Sequence, residues 1–185
     1  MLKRYPIQMN VCTGFLIAAI GDVAAQHYEN QQKFSPESHQ QPEIFEINVR
    51  RAIDLGMIRA VIIAPFISVW YPFLARRFPT NLLAKIALDQ SVGSPVVIST
   101  VFLCSAILRG EGAESCARRL REDFFATWCF SLQYWPLVHM ITFGGLIPVT
   151  HQPLFAHAVS VPWNSVMSYY ANKAKKKTPL TAHYP

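Results

Sequence analysis

The stretch from Phe124 to Asn172 constrains the fold more than any other, because it contains no Asp, Glu, Lys or Arg. It is more than twice as long as the roughly 20 apolar residues that a helix needs to cross a membrane. Near its middle lie Gly144, Gly145, Pro148 and Pro153, which weaken or interrupt a helix. The stretch therefore predicts one helical span before this break and a second apolar helix after it.

The composition indicates a membrane protein. Hydrophobic residues make up 51% of the chain and charged residues 15%, and the mean hydropathy of +0.20 is higher than that of an ordinary soluble domain. The net charge of +6 comes from basic residues in short clusters between apolar runs. This spacing favours lipid headgroups over a nucleic acid as the partner.

Alternating apolar and polar stretches predict one all-α integral membrane domain, residues 1–185. We expect a bundle of four to five transmembrane helices, some kinked by proline, with short interfacial connectors. The predicted spans lie at about 6–26, 52–75, 82–108 and 124–147, and a further apolar helix lies at 154–172. The remaining segments are a polar loop at 27–48, a charged connector at 109–123 and a basic tail at 173–185.

The number of crossings changes how the basic residues divide between the two sides of the membrane. With four crossings, nine Lys and Arg residues lie on the amino-terminal side and seven on the other, which indicates no orientation. With five crossings the division becomes five against eleven, a clear bias by the positive-inside rule. The charge count therefore favours five crossings. In either case the tail is expected to contact anionic lipid.

Ionisable and polar residues inside the predicted spans are the candidate functional residues, because they are costly when they face lipid. They are Asp22, Gln26, Arg59, Asp89, Gln90, Gln133 and His139. We expect Arg59 to pair with Asp89 or Asp22 across helices and to leave a narrow wet path beside the pair. The alternative is a closed polar cluster that only holds the helices together.

Other local patterns give weaker expectations. Lys85 and Asp89 are one helical turn apart and can pair. Trp70 and Tyr71 precede two arginines and resemble an interfacial anchor. The cysteines and histidines show no metal-ligand spacing, and no nucleophile, base and acid set or phosphate loop is visible. We therefore expect no metal, no other cofactor and no enzymatic activity.

An ordered set of motifs resembles the Mpv17/PMP22 family of small organelle membrane proteins and spans nearly the whole chain. In the amino-terminal half the matching residues are Gly21, Asp22 and Gln26, then Pro65, Trp70, Tyr71 and Leu74, then Asp89, Gln90 and Pro95. In the carboxyl-terminal half they are Trp135, Pro136, Phe143, Ile147 and Pro148, then Trp163, Asn164 and Ser168.

The chain departs from the family pattern at several positions. Ala64 stands where the family has Gly before Pro, and His139 stands where it has Gln. Thr142 replaces an Asn, and an Arg usual after the Val-Pro pair is missing near Gln152. If the positions of the replaced Asn and the missing Arg line a pore in the family, the conductance or selectivity of this chain should differ from that of other members.

The resemblance implies a multi-pass protein of the mitochondrial inner membrane, with the peroxisomal membrane as the alternative. It also implies a channel or pore for small solutes that contributes to metabolite homeostasis. A homo-oligomer is compatible with this function. The competing hypothesis is a non-conducting scaffold or assembly factor that docks partners through the loop 27–48 and the connector 109–123.

Overall fold

The computed structural model describes residues 7–33 and 46–172, and all the regular structure in these two ranges is helical. The predicted all-α fold is confirmed. The helices are α1 (Ile7–Lys33), α2 (Val49–Ile58), α3 (Ala64–Arg77), α4 (Leu82–Leu88), α5 (Ser94–Leu108), α6 (Ala113–Glu122), α7 (Phe124–Phe143), α8 (Gln152–Val159) and α9 (Val161–Asn172). The basic tail 173–185 lies outside the described residues.

Two π-helical turns interrupt otherwise continuous long helices. Arg59–Ile63 joins α2 to α3, and Asp89–Gly93 joins α4 to α5. Each turn lies just before a proline, Pro65 or Pro95, whose ring crowds the carbonyl four residues earlier and whose nitrogen cannot donate. The amide that follows each turn bonds instead to the carbonyl five residues back. The helix thus continues past the proline, and each wider turn begins at a charged residue.

Three helical segments are long and apolar enough to cross a membrane: Gln8–Gln31, Val49–Arg77 and Leu82–Leu108. Helix α7 adds 20 residues without a charged side chain. Large apolar side chains also cover the outside of the bundle, where Leu83 is 78% exposed and Val69 72% exposed. A surface of this kind suits lipid rather than water, and the predicted integral membrane class is confirmed.

Helix α1 lies unusually close to α9, and glycine makes this possible. A Cβ atom added at Gly21 would stand 2.5 Å from the Cβ of Asn164. Small residues at a helix crossing let two backbones approach closely in lipid, where packing rather than water exclusion drives association. Gly21 therefore sets the separation of the first and last helices.

Several helix boundaries differ from those predicted. Helix α1 continues to Lys33 because no Pro or Gly follows Asp22 before Phe34, so the first residues of the predicted polar loop are helical. Residues 34–45 of that loop lie outside the described part of the chain. The connector 109–123 contains a helix, α6. Helix α7 ends four residues early, at Phe143, where Gly144 and Gly145 follow and Gly145 has a φ of 94°.

The last apolar helix begins at Gln152 rather than 154 and is broken between α8 and α9 at Ser160. The cause is Pro162, which cannot donate a backbone hydrogen bond to the preceding turn. The backbone N–H of Asn164 bonds to the carbonyl of Ser160. The two helices therefore follow one another with only a short interruption.

Contacts between α1 and the last two helices fix their relative direction. The site of a Cβ on Gly14 lies 3.2 Å from the His157 ring, and Gly21 faces Asn164. Further along both helices, the Ser168 hydroxyl donates to Asp22. The contacts run in the same order along both segments, so α8 and α9 run parallel to α1.

This direction leads to a prediction about topology. If the first and last segments both cross the membrane in parallel, the number of crossings is odd, and we expect five. Epitope tags at the two chain ends should then lie on opposite sides of the membrane, which protease protection in mitoplasts can measure. One tag should be digested and the other protected. Digestion of both tags, or protection of both, before detergent is added would contradict five crossings.

Candidate functional site

The buried polar side chains of the bundle form two separate groups. We call Arg59, Asp89, Gln90 and His139 the central cluster, because Arg59 and Asp89 begin the two π turns and His139 reaches them from α7. We call Asp22, Gln26, Glu29, Arg51 and Ser168 the Asp22 cluster, which joins α1, α2 and α9. The candidate residues therefore do not form one cluster, because Asp22 has its own partners.

Asp89 is the most completely bonded residue of the central cluster. Its Oδ1 accepts a hydrogen bond of 2.8 Å from the indole Nε1 of Trp70. Its Oδ2 accepts bonds from His139 Nε2 at 2.8 Å and from Gln90 Nε2 at 3.0 Å. Hydrogen bonds to a charged group each contribute about 1.5–3 kcal/mol. Three donors from α3, α7 and the π turn itself thus hold a carboxylate that is only 7% exposed.

The position of these partners corrects two sequence predictions. Trp70 is half-buried and bonds to Asp89, so it is not only an interfacial anchor. The predicted pair of Lys85 with Asp89 is replaced by a bond of 3.2 Å from Lys85 Nζ to the carbonyl of Pro79. The wider π turn starts at Asp89, and the carboxylate there bonds to α3 and α7.

Gln90 ties the second π turn to α7. Its side-chain oxygen accepts a bond of 3.0 Å from the Ser131 hydroxyl, which lies 2.5 Å from the hydroxyl of Ser94. Its backbone carbonyl accepts a bond of 2.9 Å from the Trp128 indole. A π turn at membrane depth leaves backbone groups that neighbouring helices must satisfy. Helix α7 supplies this partner.

Aromatic rings enclose His139. The ring stacks on Phe143 at 4.6 Å and on Trp135 at 5.3 Å between centroids, and Tyr71 meets it edge-on at 5.9 Å. These rings shield the His139–Asp89 contact from lipid. The second ring nitrogen of His139, Nδ1, is buried without a hydrogen-bond partner among the described residues.

Arg59 does not have the partner expected from the sequence. Its Nη2 lies 3.2 Å from the Ser160 hydroxyl and 3.4 Å from His157 Nδ1. In the part of the chain that the structure describes, neither Asp22 nor Asp89 forms an ion pair with it. The reason is packing, since α8 and the break before α9 lie against the first π turn, while Asp89 bonds to His139.

A cavity of about 40 Å³ adjoins the central cluster, and Arg59 and Asp89 both line it. Its wall also includes Trp70, Trp135 and Trp163. About three water-sized volumes fit such a space. A second cavity of about 20 Å³ is also lined by Arg59, together with Ala18 and Asn164. Arg59 thus borders two small cavities.

The Asp22 cluster joins the interior of α1 to the start of α2 and to α9. Asp22 is fully buried and lies 2.7 Å from the Nε of Arg51. It also accepts bonds from Gln26 Nε2 at 2.6 Å and from the Ser168 hydroxyl. The same Arg51 makes a two-pronged pair with Glu29 at 2.8 and 2.7 Å. Bidentate arginine–carboxylate pairs are among the strongest polar contacts in proteins.

The sequence analysis missed Arg51 and misplaced Gln133. Arg51 lies three residues after the predicted polar loop ends at residue 48, and the structure places it in the first turn of α2. Gln133 is exposed and donates to the carbonyl of Cys129 in its own helix. It is therefore not part of the buried polar cluster.

The remaining motif residues have structural positions. Pro65 and Pro95 follow the π turns, Pro136 lies within α7, and Pro148 lies in the turn before α8, where its carbonyl accepts from His151. Trp163 is buried at the cavity wall. Within residues 7–33 and 46–172, no three His, Cys, Asp or Glu side chains are placed to hold a metal ion.

This architecture defines a class: a multi-pass helical membrane protein whose interior carries charged side chains from separate helices. Comparison with known proteins shows which family this chain resembles. The sequence profile of the Mpv17/PMP22 family matches residues 106–168, and the resemblance expected from the motifs is confirmed. The chain is also similar along most of its length to fungal and animal proteins.

Full-length relatives support the match. Protein SYM1 of Saccharomyces cerevisiae is 27% identical over all of this chain and 93% of its own length. Protein SYM1 of Yarrowia lipolytica is 26% identical over 95% of this chain and 80% of its own. The mitochondrial inner membrane protein Mpv17 of Xenopus laevis is 24% identical over 94% of each chain. No solved structure matches.

The localisation follows from these relatives and from the helices. The Xenopus laevis and Caenorhabditis elegans relatives are named as mitochondrial inner membrane proteins, and this chain has helices that can span a membrane. The predicted location in the mitochondrial inner membrane is confirmed.

The Asp22 cluster yields a test of its role in stability. Replacing Arg51 with Met leaves the fully buried Asp22 without its cation, and breaking a buried pair in this way costs about 3–5 kcal/mol. We expect Arg51→Met to lower the free energy of unfolding in detergent by about that amount. Adding Asp22→Asn should recover part of the loss, because the uncompensated charge is then removed.

Arg50→Met is the matched control, because Arg50 is the exposed neighbour on the same helix. Its effect should stay within about 0.5 kcal/mol. Equal losses from the two variants would show that Arg51 does not hold the buried carboxylate.

Proposed function

We propose that the chain forms a narrow path for small polar solutes across the mitochondrial inner membrane. One observation carries this proposal: a cation and an anion from different helices, Arg59 and Asp89, line the same buried cavity. Both begin π turns, which are frequent at functional sites. Irregular backbone at membrane depth is tolerated where it is buried in protein or lines a water-filled cavity.

The charged side chains inside the bundle support a transport role rather than a purely structural one. Intramembrane ionisable residues commonly mark substrate or ion pathways. The two long helices here, Val49–Arg77 and Leu82–Leu108, are continuous, but each contains a π turn, and a charged residue of each turn lines the same cavity.

The size of the cavity sets a condition on the mechanism. A space of about 40 Å³ holds water but no metabolite. Passage of a solute therefore requires the helices around the central cluster to separate. We infer that the packed arrangement is a closed state of the path. A single bundle of this size encloses little volume, and a homo-oligomer would offer a wider path.

A non-conducting scaffold is the second candidate function. It is favoured by the complete bonding of Asp89, whose three donors are satisfied in the packed state. In this role the central cluster would only hold α3, α7 and the second π turn together. Both candidates are non-enzymatic, and both use the lipid bilayer as the main partner, with no direct role for nucleic acid.

Planar bilayer recordings of the purified protein separate the two functions. We expect reproducible openings of the wild-type protein. Arg59→Gln removes the positive charge at the cavity and should shift the permeability ratio severalfold toward cations. Asp89→Asn removes the negative charge and should shift it severalfold toward anions.

Arg50→Gln is the control in this experiment, because it removes an exposed arginine outside the cavity. It should leave conductance and selectivity unchanged. A silent bilayer across a range of voltage, pH and redox conditions, with protein that elutes as a folded species, would reject the path and favour the scaffold.

A further inference from the structure

Arg59 is a buried cation with unused hydrogen-bonding capacity. Only 7% of the residue is exposed. A guanidinium has five N–H donors and no acceptor, and here its two hydrogen-bond contacts are to neutral groups, Ser160 and His157. Its Nε is buried and has no acceptor among the described residues. The bundle thus surrounds a positive charge without supplying a carboxylate.

The other charged side chains, Asp89 and Arg51, have partners that use their hydrogen-bonding capacity. Both oxygens of Asp89 are occupied by donors, and Arg51 pairs with the carboxylates of Asp22 and Glu29. At the larger cavity the unused donor capacity belongs to Arg59, and His139 contributes a buried ring nitrogen, Nδ1, without a partner among the described residues. A ligand that satisfies the donors of Arg59 must bring acceptor oxygens.

His157 reinforces this polarity. An arginine cannot accept a hydrogen bond, so His157 Nδ1 must be the acceptor in their contact of 3.4 Å. The ring proton of a neutral His157 then lies on Nε2, which is also buried without a partner among residues 7–33 and 46–172. His157 Nε2 is thus a second buried donor that has no acceptor among the described residues.

The larger cavity has the size of a small acceptor group. Its volume of about 40 Å³ exceeds the roughly 10–15 Å³ that one water requires, so a small acceptor group has room there. Trp70, Trp135 and Trp163 line its wall beside Arg59. Aromatic walls limit the entry of bulk water and strengthen an ion pair formed inside.

We propose that Arg59 binds an oxyanion group, the carboxylate or phosphoryl group of a small solute, at the central cavity. This inference rests on the proposed function, because the site lies on the proposed path and names the solutes that the path would select. Arginine suits the role because its planar fork can donate two parallel bonds to one carboxylate.

Binding can be measured without transport. Thermal unfolding of the purified protein in detergent is followed by tryptophan fluorescence while sodium acetate is titrated, with ionic strength held constant by the bulkier anion of HEPES. Acetamide is the neutral analogue of the same shape. A ligand at ten times its Kd should raise the Tm by about 3–6 °C, and acetate should do so where acetamide does not.

Variants assign the effect to Arg59. Arg59→Gln should abolish the acetate-dependent rise in Tm, and Arg59→Lys should keep part of it because the charge remains. Arg51→Lys is the matched control, because it alters a partly buried arginine that already has two carboxylate partners, and its acetate response should equal that of the wild type. A parallel titration with inorganic phosphate tells whether carboxylate or phosphoryl oxygens bind more tightly.

Two results would overturn the proposal: equal responses to acetate and acetamide, or an acetate response that persists in Arg59→Gln. The first would indicate that water alone satisfies Arg59. If Arg59→Gln does not fold, the comparison of acetate with acetamide on the wild-type protein still decides the question. A silent bilayer together with acetate binding would reject the path but leave the oxyanion site standing.

Discussion

The bonding of Asp89 is the interaction on which the interior of this bundle depends. An ionised carboxylate inside a membrane protein must be compensated, and here the compensation comes from three different parts of the chain. Trp70 belongs to α3, His139 to α7 and Gln90 to the second π turn. These helices can pack in only one register if all three donors are to reach the same carboxylate. Burying the Asp89 carboxylate costs free energy, but it also specifies how these helices pack.

The two prolines explain why charged residues can stand in the middle of long helices. Pro65 and Pro95 prevent a regular α-helix, and a π turn precedes each of them. The turn widens the helix at Arg59 and at Asp89, and both side chains face one cavity. The Asp22 cluster lies elsewhere and has a different role, because it joins α1, α2 and α9 through paired charges. The Asp22 cluster holds helices together, whereas the central cluster leaves Arg59 without a carboxylate partner.

Much of this could be predicted from local sequence. The charge-free run after Asp123, the prolines and the buried Asp22, Arg59 and Asp89 all follow from hydropathy and spacing. The partners could not be predicted in the same way, since a step of one residue turns a side chain by about 100° around a helix. That step separates Arg51, which pairs with Asp22, from the exposed Arg50.

The wrong placement of Gln133 could have been recognised from residue spacing. Gln133 and His139 are six residues apart, which places them about 120° apart on one helix, so they could not both face the central cluster. The partners of Arg59 had no such signal. His157 and Ser160 reach it only because α8 packs against the first π turn, and the order in which separate helices pack is not encoded in the spacing of either one.

The most direct test of this account is a double-mutant cycle between Asp89 and His139. The free energy of unfolding in detergent is measured for the wild type, Asp89→Asn, His139→Gln and the double variant. If the two side chains bond across helices, the cycle should give a coupling energy of about 1 kcal/mol or more. Losses that add to within about 0.5 kcal/mol would contradict the account, because the two residues would then act independently.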